Sequence, residues 1–143
     1  MLQGRIVFRI GEQELTEDVH DFALVAFEAI AEGDGVYINS SSRVAPARAD
    51  ASGTMHVAAL AVTAIASGDL GPLRDRGPLP STNYDFSGFV GQNAYISTGT
   101  AGQITEVVPS ASGQIVQQVG TIRAPNLIQI DIGPGAQRDG GLF

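Results

Sequence analysis

The chain has 143 residues, of which 43% are hydrophobic and 16% charged, a balance that is typical of a folded globular domain and argues against intrinsic disorder. All eight basic residues are arginine and fifteen residues are acidic, so the net charge of -7 repels phosphate and argues against sequence-independent binding of nucleic acid. The absence of cysteine excludes disulfides and thiolate metal sites, and no apolar run resembles a signal peptide or reaches the about 20 residues that span a bilayer.

The first predicted element is a strand over residues 5 to 10. Two sets of residues alternate along it, which are Ile6, Phe8 and Ile10 on one face and Arg5, Val7 and Arg9 on the other. Arginines on the outer face suit an edge strand protected by charge, and they equally suit a strand that pairs with another chain. We therefore treat residues 1–20 as an N-terminal strand or arm.

Acidic residues are concentrated just after this strand. Eight of the fifteen fall between positions 12 and 34, and they are Glu12, Glu14, Glu17, Asp18, Asp21, Glu28, Glu32 and Asp34. Such a cluster could meet a basic partner surface, although a solvated charged segment is the commoner case.

The segment from residue 21 to 31 fits two interpretations. Its apolar residues recur at helical spacing, whereas an unbroken apolar run also suits a buried strand. Asp21 could cap a helix and Gly33 could end one. Because the segment leads through a glycine turn directly into the strand-like run Val36-Tyr37-Ile38-Asn39, the strand interpretation is favoured.

The two halves of the chain share a degenerate pattern. In each half a glycine turn precedes a Tyr-Ile strand, Tyr37-Ile38 or Tyr95-Ile96, and an Ala-Ser-Gly turn ending at Gly53 or Gly113 follows. A strand-compatible stretch comes next, over residues 55–65 and 115–122. The pattern predicts half-repeats at about 28–66 and 88–132, with chance similarity as the alternative because Gly, Ala and Ser are abundant.

The stretch 67–87 between the half-repeats is dense in glycine and proline. Prolines at 72, 78 and 80 lack the N–H that a sheet needs, so the pattern predicts a long connector. Long loops inside compact domains tend to be functional, which makes Arg74 and Arg76 candidate contact residues.

The last predicted strand covers residues 128–132, where three isoleucines alternate with Gln129 and Asp131. The sequence Gly133-Pro134-Gly135 ends it, and residues 135–143 suit a flexible arm that finishes on Leu142-Phe143. Taken together, the elements predict an all-β fold, or a mainly β fold with at most one short helix. We expect a small β-barrel or sandwich over residues 21–134.

No pattern of catalytic or ligand-binding residues stands out. The only histidines, His20 and His56, belong to no recognisable motif, and a Ser-His-Asp set can be drawn from any chain this rich in serine. The turn around Asp34 is too short for a phosphate loop, and Asp34, Asp69 and Asp75 lack the spacing of a calcium loop. We expect no enzymatic activity, no cofactor and no metal.

Two runs carry a resemblance to a known family. The first run is Glu28-Ala29-Ile30-Ala31-Glu32-Gly33-Asp34-Gly35-Val36-Tyr37-Ile38. The second begins with Gly91-Gln92-Asn93-Ala94-Tyr95-Ile96-Ser97. It continues through Gly102-Gln103-Ile104-Thr105 and Ser112 to Gly120 as far as Ile128-Gln129-Ile130. They resemble the capsid decoration, or head cement, proteins of tailed phages. The resemblance covers roughly residues 28 to 132 and consists of turn and strand positions. The N-terminal strand and the proline-rich connector depart from it.

Membership of that family would imply a small β protein, commonly a homotrimer, that sits on the outside of the virion and clamps adjacent major capsid subunits. It would be made in the host cytoplasm, with no nucleic acid or membrane as partner. The candidate contact residues are Arg5, Val7, Arg9, Glu12, Glu14, Arg74, Arg76, Leu142 and Phe143. The alternatives are a tail or fibre-associated adhesion module and, with less support, a small enzyme of unrecognised type.

Overall fold

A computed structural model of the chain describes residues 2–10, 13–50, 52–134 and 136–137, with side chains for 19–50 and 53–134. The described secondary structure consists of twelve strands and one short 3-10 turn, so the predicted all-β class is confirmed. Ten strands form one curled sheet with the shape of a half-barrel. Within this part of the chain, no helix is long and apolar enough to cross a membrane.

The strands are β1 (Leu2–Ile10), β2 (Gln13–Val25), β3 (Gly35–Ile38), β4 (Val44–Pro46), β5 (Ala59–Ala61), β6 (Leu70–Pro80), β7 (Asn93–Ile96), β8 (Ile104–Thr105), β9 (Ile115–Val116), β10 (Gln118–Ala124), β11 (Leu127–Asp131) and β12 (Ala136–Gln137), with the 3-10 turn at Ser52–Thr54. The main sheet follows the order β4-β3-β5-β6-β11-β10-β7-β8. Strand β2 joins it by pairing with β6, and β1 pairs with β2. Strands β9 and β12 pair with each other.

The order of the main sheet is symmetric about its centre. Strands β3, β4, β5 and β6 can be matched with β7, β8, β10 and β11. The order of matched strands from the outer edge inward is then the same in both halves of the sheet. The two halves meet where β6 and β11 run antiparallel to each other. A pseudo-two-fold relation between two copies of one β unit explains this arrangement.

The residue pairs between neighbouring strands agree with this match of the two halves. The pair Val36–Ala59 between β3 and β5 corresponds to Ala94–Gly120 between β7 and β10. Likewise, the β5–β6 pairing through Leu73 corresponds to the β10–β11 pairing through Ile128. The strand pairing thus supports the half-repeats that the Tyr-Ile pattern predicted, each consisting of four strands.

The predicted loop or connector over residues 67–87 is not a loop for about half of its length, because β6 lies within it and completes the first half-repeat. The strand tolerates its prolines because each lacks only the N–H and keeps its carbonyl group. The carbonyl of Pro72 accepts a hydrogen bond from the backbone N–H of Val62 at 3.1 Å, and that of Pro78 accepts one from the Arg74 guanidinium at 2.7 Å. The third, Pro80, is the last residue of the strand.

The ambiguous segment 21–31 is strand as far as Val25, as favoured, and irregular beyond it. There Ala26 and Ile30 form isolated bridges with Val44 and Ile65. The stretch 55–65 contributes only the three residues of β5, and 115–122 is split between β9 and β10. The predicted flexible tail is wrong at 136–137, which pair with β9, and the rest of 135–143 lies outside the described residues.

Two apolar clusters form the core. The larger draws on both half-repeats and consists of Ala47, Ala49, Val57, Leu60, Leu79, Phe86, Ala94, Ile96, Ile104, Ile115, Val119, Ile122, Ile128 and Ile130. The smaller belongs to the first half-repeat and to the segments beside it, and consists of Ala26, Ile30, Val36, Val44, Ala59, Ala61, Ile65 and Leu73. The larger cluster therefore requires both half-repeats.

Candidate functional site

The first two strands form an arm. Among the described strands, β1 pairs with β2 alone, and β2 pairs with the body through β6 only from His20 onward. The outer edge of β1 thus has no partner strand in the described part of the chain. A free edge of nine residues presents backbone N–H and carbonyl groups in the pattern to which an extended segment of another protein adds.

The arm carries four of the predicted contact residues. Arg5, Val7 and Arg9 share one face of β1, and the positions directly across in β2 are Asp18, Thr16 and Glu14. The register therefore places an arginine position of β1 across from an acidic position of β2 at two points along the arm. Three other predicted contact residues, Glu12, Leu142 and Phe143, lie outside the described residues.

Arg74 is not available to a partner, which corrects its prediction as a contact residue. It is only 6% exposed, and its Nε and Nη2 donate to the Asp21 carboxylate at 2.7 and 3.0 Å. Its Nη1 also donates to the Pro78 carbonyl at 2.7 Å, so the guanidinium contacts both β2 and a later residue of β6. The neighbouring Arg76 is exposed, so the structure leaves it accessible.

A bulge in β6 lies beside this ion pair. His20 pairs with Arg76 and Asp21 pairs with Arg74, so Asp75 is an extra residue without a partner in β2. Its carboxylate instead lies 2.6 Å from Nδ1 of His20. Downstream of the bulge, Gly77 has a φ of 107°, in the region that glycine adopts readily. The strand bends there and changes its partner from β2 to β11.

An exposed apolar surface lies on the outer side of β2 and β6, and the sequence analysis did not identify it. Leu70 and Phe27 are 68% and 56% exposed. Register places Leu70 across from Val25 and Pro72 across from Ala23. We call the set Ala23, Val25, Phe27, Leu70 and Pro72 the β2–β6 apolar face. Ala23 and Val25 are two residues apart in β2, Leu70 and Pro72 are two apart in β6, and Phe27 lies just beyond the end of β2. The glycine- and proline-rich sequence obscured the alternation in β6.

An open groove of about 530 Å³ runs along the junction between the repeats. Its floor is held by a set of hydrogen bonds that join residues about fifty positions apart. The Tyr84 hydroxyl donates to the Gly33 carbonyl at 2.7 Å, and the Glu32 carboxylate accepts from Ser81 Oγ at 2.8 Å and from the Thr82 N–H at 3.1 Å. These contacts anchor the segment after β6 to the turn before β3.

Burial affects two ionisable groups in the groove. It raises the pKa of the Tyr84 phenol well above its ordinary value, and the negative charges of Asp34 and Glu32 add to that effect. Burial also raises the pKa of Asp34. The hydrogen bond that its carboxylate accepts from the Ala31 N–H acts in the opposite direction and lowers the pKa. Three of the clustered acids, Asp21, Glu32 and Asp34, thus have specific internal hydrogen bonds and do not form a uniformly solvated face.

The described residues do not bring together a recognisable catalytic or metal site. They contain no group of three His, Asp or Glu side chains placed to hold a metal ion. His20 contacts Asp75, and His56 lies on the surface. Three surface features stand out in the described residues, namely the arm, the β2–β6 apolar face and the groove.

Comparison with known proteins adds no identification. No protein-family model matches the sequence, and no curated protein matches it significantly.

Proposed function

We propose that this chain is a structural virion protein that binds the outside of a tailed-phage capsid and holds adjacent major capsid subunits together. The observation that carries the proposal is the two-stranded arm, which extends an all-β body and whose outer strand edge has no partner in the described part of the chain. The resemblance of residues 28–132 to capsid decoration proteins selects the capsid as the partner. No enzymatic step forms part of this function.

The arm suits contact with a protein shell that is itself rich in strands. Addition of β1 to the edge of a capsid sheet satisfies backbone N–H and carbonyl groups along its length, and the alternating arginines and acids on one face provide polar contacts at the rim. A capsid displays its subunits in many copies. Contacts that are individually weak therefore suffice when one decoration protein engages several subunits at once.

The direct test is co-sedimentation with shells of the phage that encodes this chain, prepared without it and already expanded. We expect the purified protein to bind these shells at saturable stoichiometry and to raise the temperature at which they rupture. Unexpanded shells are the comparison, because clamping requires the mature spacing of subunits. Absence of binding to expanded shells would contradict the proposal.

A matched pair of variants locates the contact. Arg9→Glu reverses a charge on the arm, and Arg43→Glu reverses one on the exposed turn between β3 and β4, so both variants change the net charge equally. We expect Arg9→Glu to weaken shell binding by about tenfold, a loss on the order of 1.4 kcal/mol, and Arg43→Glu to bind like the wild type. Equal weakening by both would indicate long-range charge effects without a contact at the arm.

One observation favours a tail or fibre-associated module as a second candidate. Loops on the body expose apolar side chains, with Val90 53% and Val107 63% exposed, and Phe89 lies beside Val90. Adhesion modules present such residues to a host surface. Binding of the purified protein to host cells, with none to expanded shells, would select this alternative.

A further inference from the structure

The groove at the junction between the repeats lies beside an open edge of the sheet. Strand β8 is the last strand of the main sheet, and among the described strands it pairs only with β7. The segment 103–106, which contains β8, lines the groove. A strand edge inside a concave site can pair with an extended segment of another chain.

The hydrogen bonds around β8 show which backbone groups face the groove. The Ser97 N–H donates to the Gln103 carbonyl at 2.9 Å, so Gln103 and, two positions on, Thr105 direct their backbone groups toward β7. The groups of Ile104 and Glu106 therefore point the other way, where no described strand pairs with them. This edge thus directs two N–H groups and two carbonyls toward the groove.

The groove opens where two segments that are joined at one end diverge. At that end the Gly35 N–H donates to the Gly102 carbonyl at 2.9 Å, and the Gly102 N–H donates to the Ala47 carbonyl at 2.6 Å. Gly102 is two positions before Ile104, so its backbone groups belong to the same edge and show that this edge accepts backbone partners. Beyond them residues 31–34 form the opposite wall, and the space of about 530 Å³ between the walls is open.

The charges of the groove favour a cationic occupant. In the described part of the chain four carboxylates line it, and no arginine or histidine does; the carboxylates are those of Glu32, Asp34, Asp85 and Glu106. No three His, Asp or Glu side chains of the described residues converge on a point where a metal ion could bind. Carboxylates that are spread along a groove instead suit positive side chains carried on an extended backbone.

Three of these carboxylates are held in place by the protein itself. Glu32 accepts the two hydrogen bonds described above through a single oxygen, Oε1. Asp34 Oδ2 accepts from the Ala31 N–H at 3.0 Å, and Asp85 Oδ1 accepts from the Ser87 hydroxyl at 3.0 Å. A carboxylate has two oxygens and about four acceptor positions, so each can also accept a bond from a bound cation.

We propose that the groove binds an extended segment of a partner protein, which adds as a strand to the edge at residues 103–106 and carries an arginine or lysine across from Glu106. All strand pairs of the main sheet are antiparallel, and we expect the same of the added strand. The residue across from Glu106 exchanges backbone hydrogen bonds with it, and the two side chains lie on one face. This site is separate from the arm and goes beyond the shell contact proposed for it.

Titration with a short peptide, followed by nuclear magnetic resonance, tests the site on the full-length protein. The probe is the synthetic peptide acetyl-Thr-Val-Arg-Val-Thr-amide, and the matched control peptide has glutamate in place of the arginine. We expect the arginine peptide to shift the amide signals of residues 103–106 with a dissociation constant of about 1 mM or lower. The glutamate peptide should shift none of them at the same concentrations.

A matched pair of protein variants tests the charge of the groove. Glu106→Lys reverses a charge that lines it, and Glu28→Lys reverses one at an exposed position outside it, so both change the net charge equally. We expect Glu106→Lys to raise the dissociation constant of the arginine peptide at least about tenfold, and Glu28→Lys to leave it within about twofold. Equal weakening would mean general attraction to a chain of net charge -7 and would overturn the assignment.

Two N-methylated forms of the arginine peptide test strand addition. Methylation of the arginine nitrogen removes the N–H that points to β8, whereas methylation of the following valine nitrogen removes one that points away. We expect the first form to bind at least about tenfold more weakly than the parent peptide, and the second to bind within about twofold of it.

Three outcomes would overturn the inference. They are the absence of peptide-induced shifts at residues 103–106, equal binding by the two N-methylated peptides, and groove signals that change with the concentration of the protein alone. The last would make a second copy of this chain the occupant. All these measurements use purified protein without capsids, so their failure and a failure of shell binding are distinguishable.

Discussion

The guanidinium of Arg74 makes three hydrogen bonds beside the bulge in β6. It pairs with the Asp21 carboxylate from β2 and donates to the Pro78 carbonyl beyond the bend in β6. Removal of one partner from a buried ion pair leaves the other without compensation. Because Asp21 retains some contact with water, we expect Arg74→Ala to lower the free energy of unfolding by about 2 to 4 kcal/mol, measured by urea denaturation.

The matched control for this prediction is Arg76→Ala, two residues away on the surface of the same strand. It should change the free energy of unfolding by no more than about 0.5 kcal/mol. Equal losses in the two variants would show that charge near the bend matters and the specific ion pair does not. The sequence could not separate these arginines, because the partner that buries Arg74 lies 53 residues earlier in the chain.

Tyr84 holds the junction between the repeats through its hydroxyl, which donates to the Gly33 carbonyl at 2.7 Å. Tyr84→Phe keeps the ring and leaves that carbonyl without its donor. We expect a loss of about 1 kcal/mol in the free energy of unfolding at neutral pH. Tyr95→Phe, which changes a half-buried tyrosine in β7, is the control and should cost clearly less.

The same tyrosine gives a pH dependence with a definite sign. Burial, and then the charges of Asp34 and Glu32, raise the pKa of Tyr84 in the folded state above the value of about 10 that it has when unfolded. The folded protein thus holds the phenol proton more tightly, so the contribution is complete below pH about 10 and is lost as the pH rises further. The stability of the wild type should fall more steeply than that of Tyr84→Phe as the pH rises above about 10. Parallel curves would contradict this.

At the scale of single elements, close contact between β10 and β11 depends on a glycine. A Cβ added to Gly120 would overlap the backbone carbonyl oxygen of Gln129 and come within 2.9 Å of an Ile128 methyl group. We expect Gly120→Ala to lower the free energy of unfolding by about 2 to 3 kcal/mol, because backbone must move to admit the methyl group. In Gly99→Ala the added atom meets nothing within 4 Å, and the change should stay within about 0.5 kcal/mol in the same denaturation experiment.

Strands with clear alternation were predictable, and those whose partners compensate for unfavourable residues were not. The isoleucines of β11 and the residues of β7 follow period-two patterns that solvent on one face imposes. In β6, three prolines indicated a loop. Sequence alone does not show that the carbonyl of Pro78 accepts a hydrogen bond from Arg74 within a strand. The β2–β6 apolar face was missed for the same reason, since it exists only once β6 is a strand.

At the scale of the whole molecule, the two repeats share one core. Residues of both halves meet in the larger apolar cluster, and Leu79, 1% exposed, lies in β6 where that strand pairs with β11. The pseudo-symmetry could be anticipated from the repeated Tyr-Ile pattern. The end of the first copy could not, because the strand that completes it is β6, in the stretch predicted as a connector.

A shared core makes a prediction about cooperativity. Leu79→Ala leaves a cavity where the repeats meet, and we expect it to lower the free energy of unfolding by about 2 to 5 kcal/mol while unfolding remains a single transition. Far-ultraviolet circular dichroism reports strands of both halves, and tyrosine fluorescence reports Tyr37 and Tyr95, one in each repeat, together with Tyr84 between the repeats. The two signals should coincide in the wild type and in the variant. Val107→Ala, on the exposed loop, should leave both curves unchanged, and two separated transitions would mean that each repeat folds around its own core.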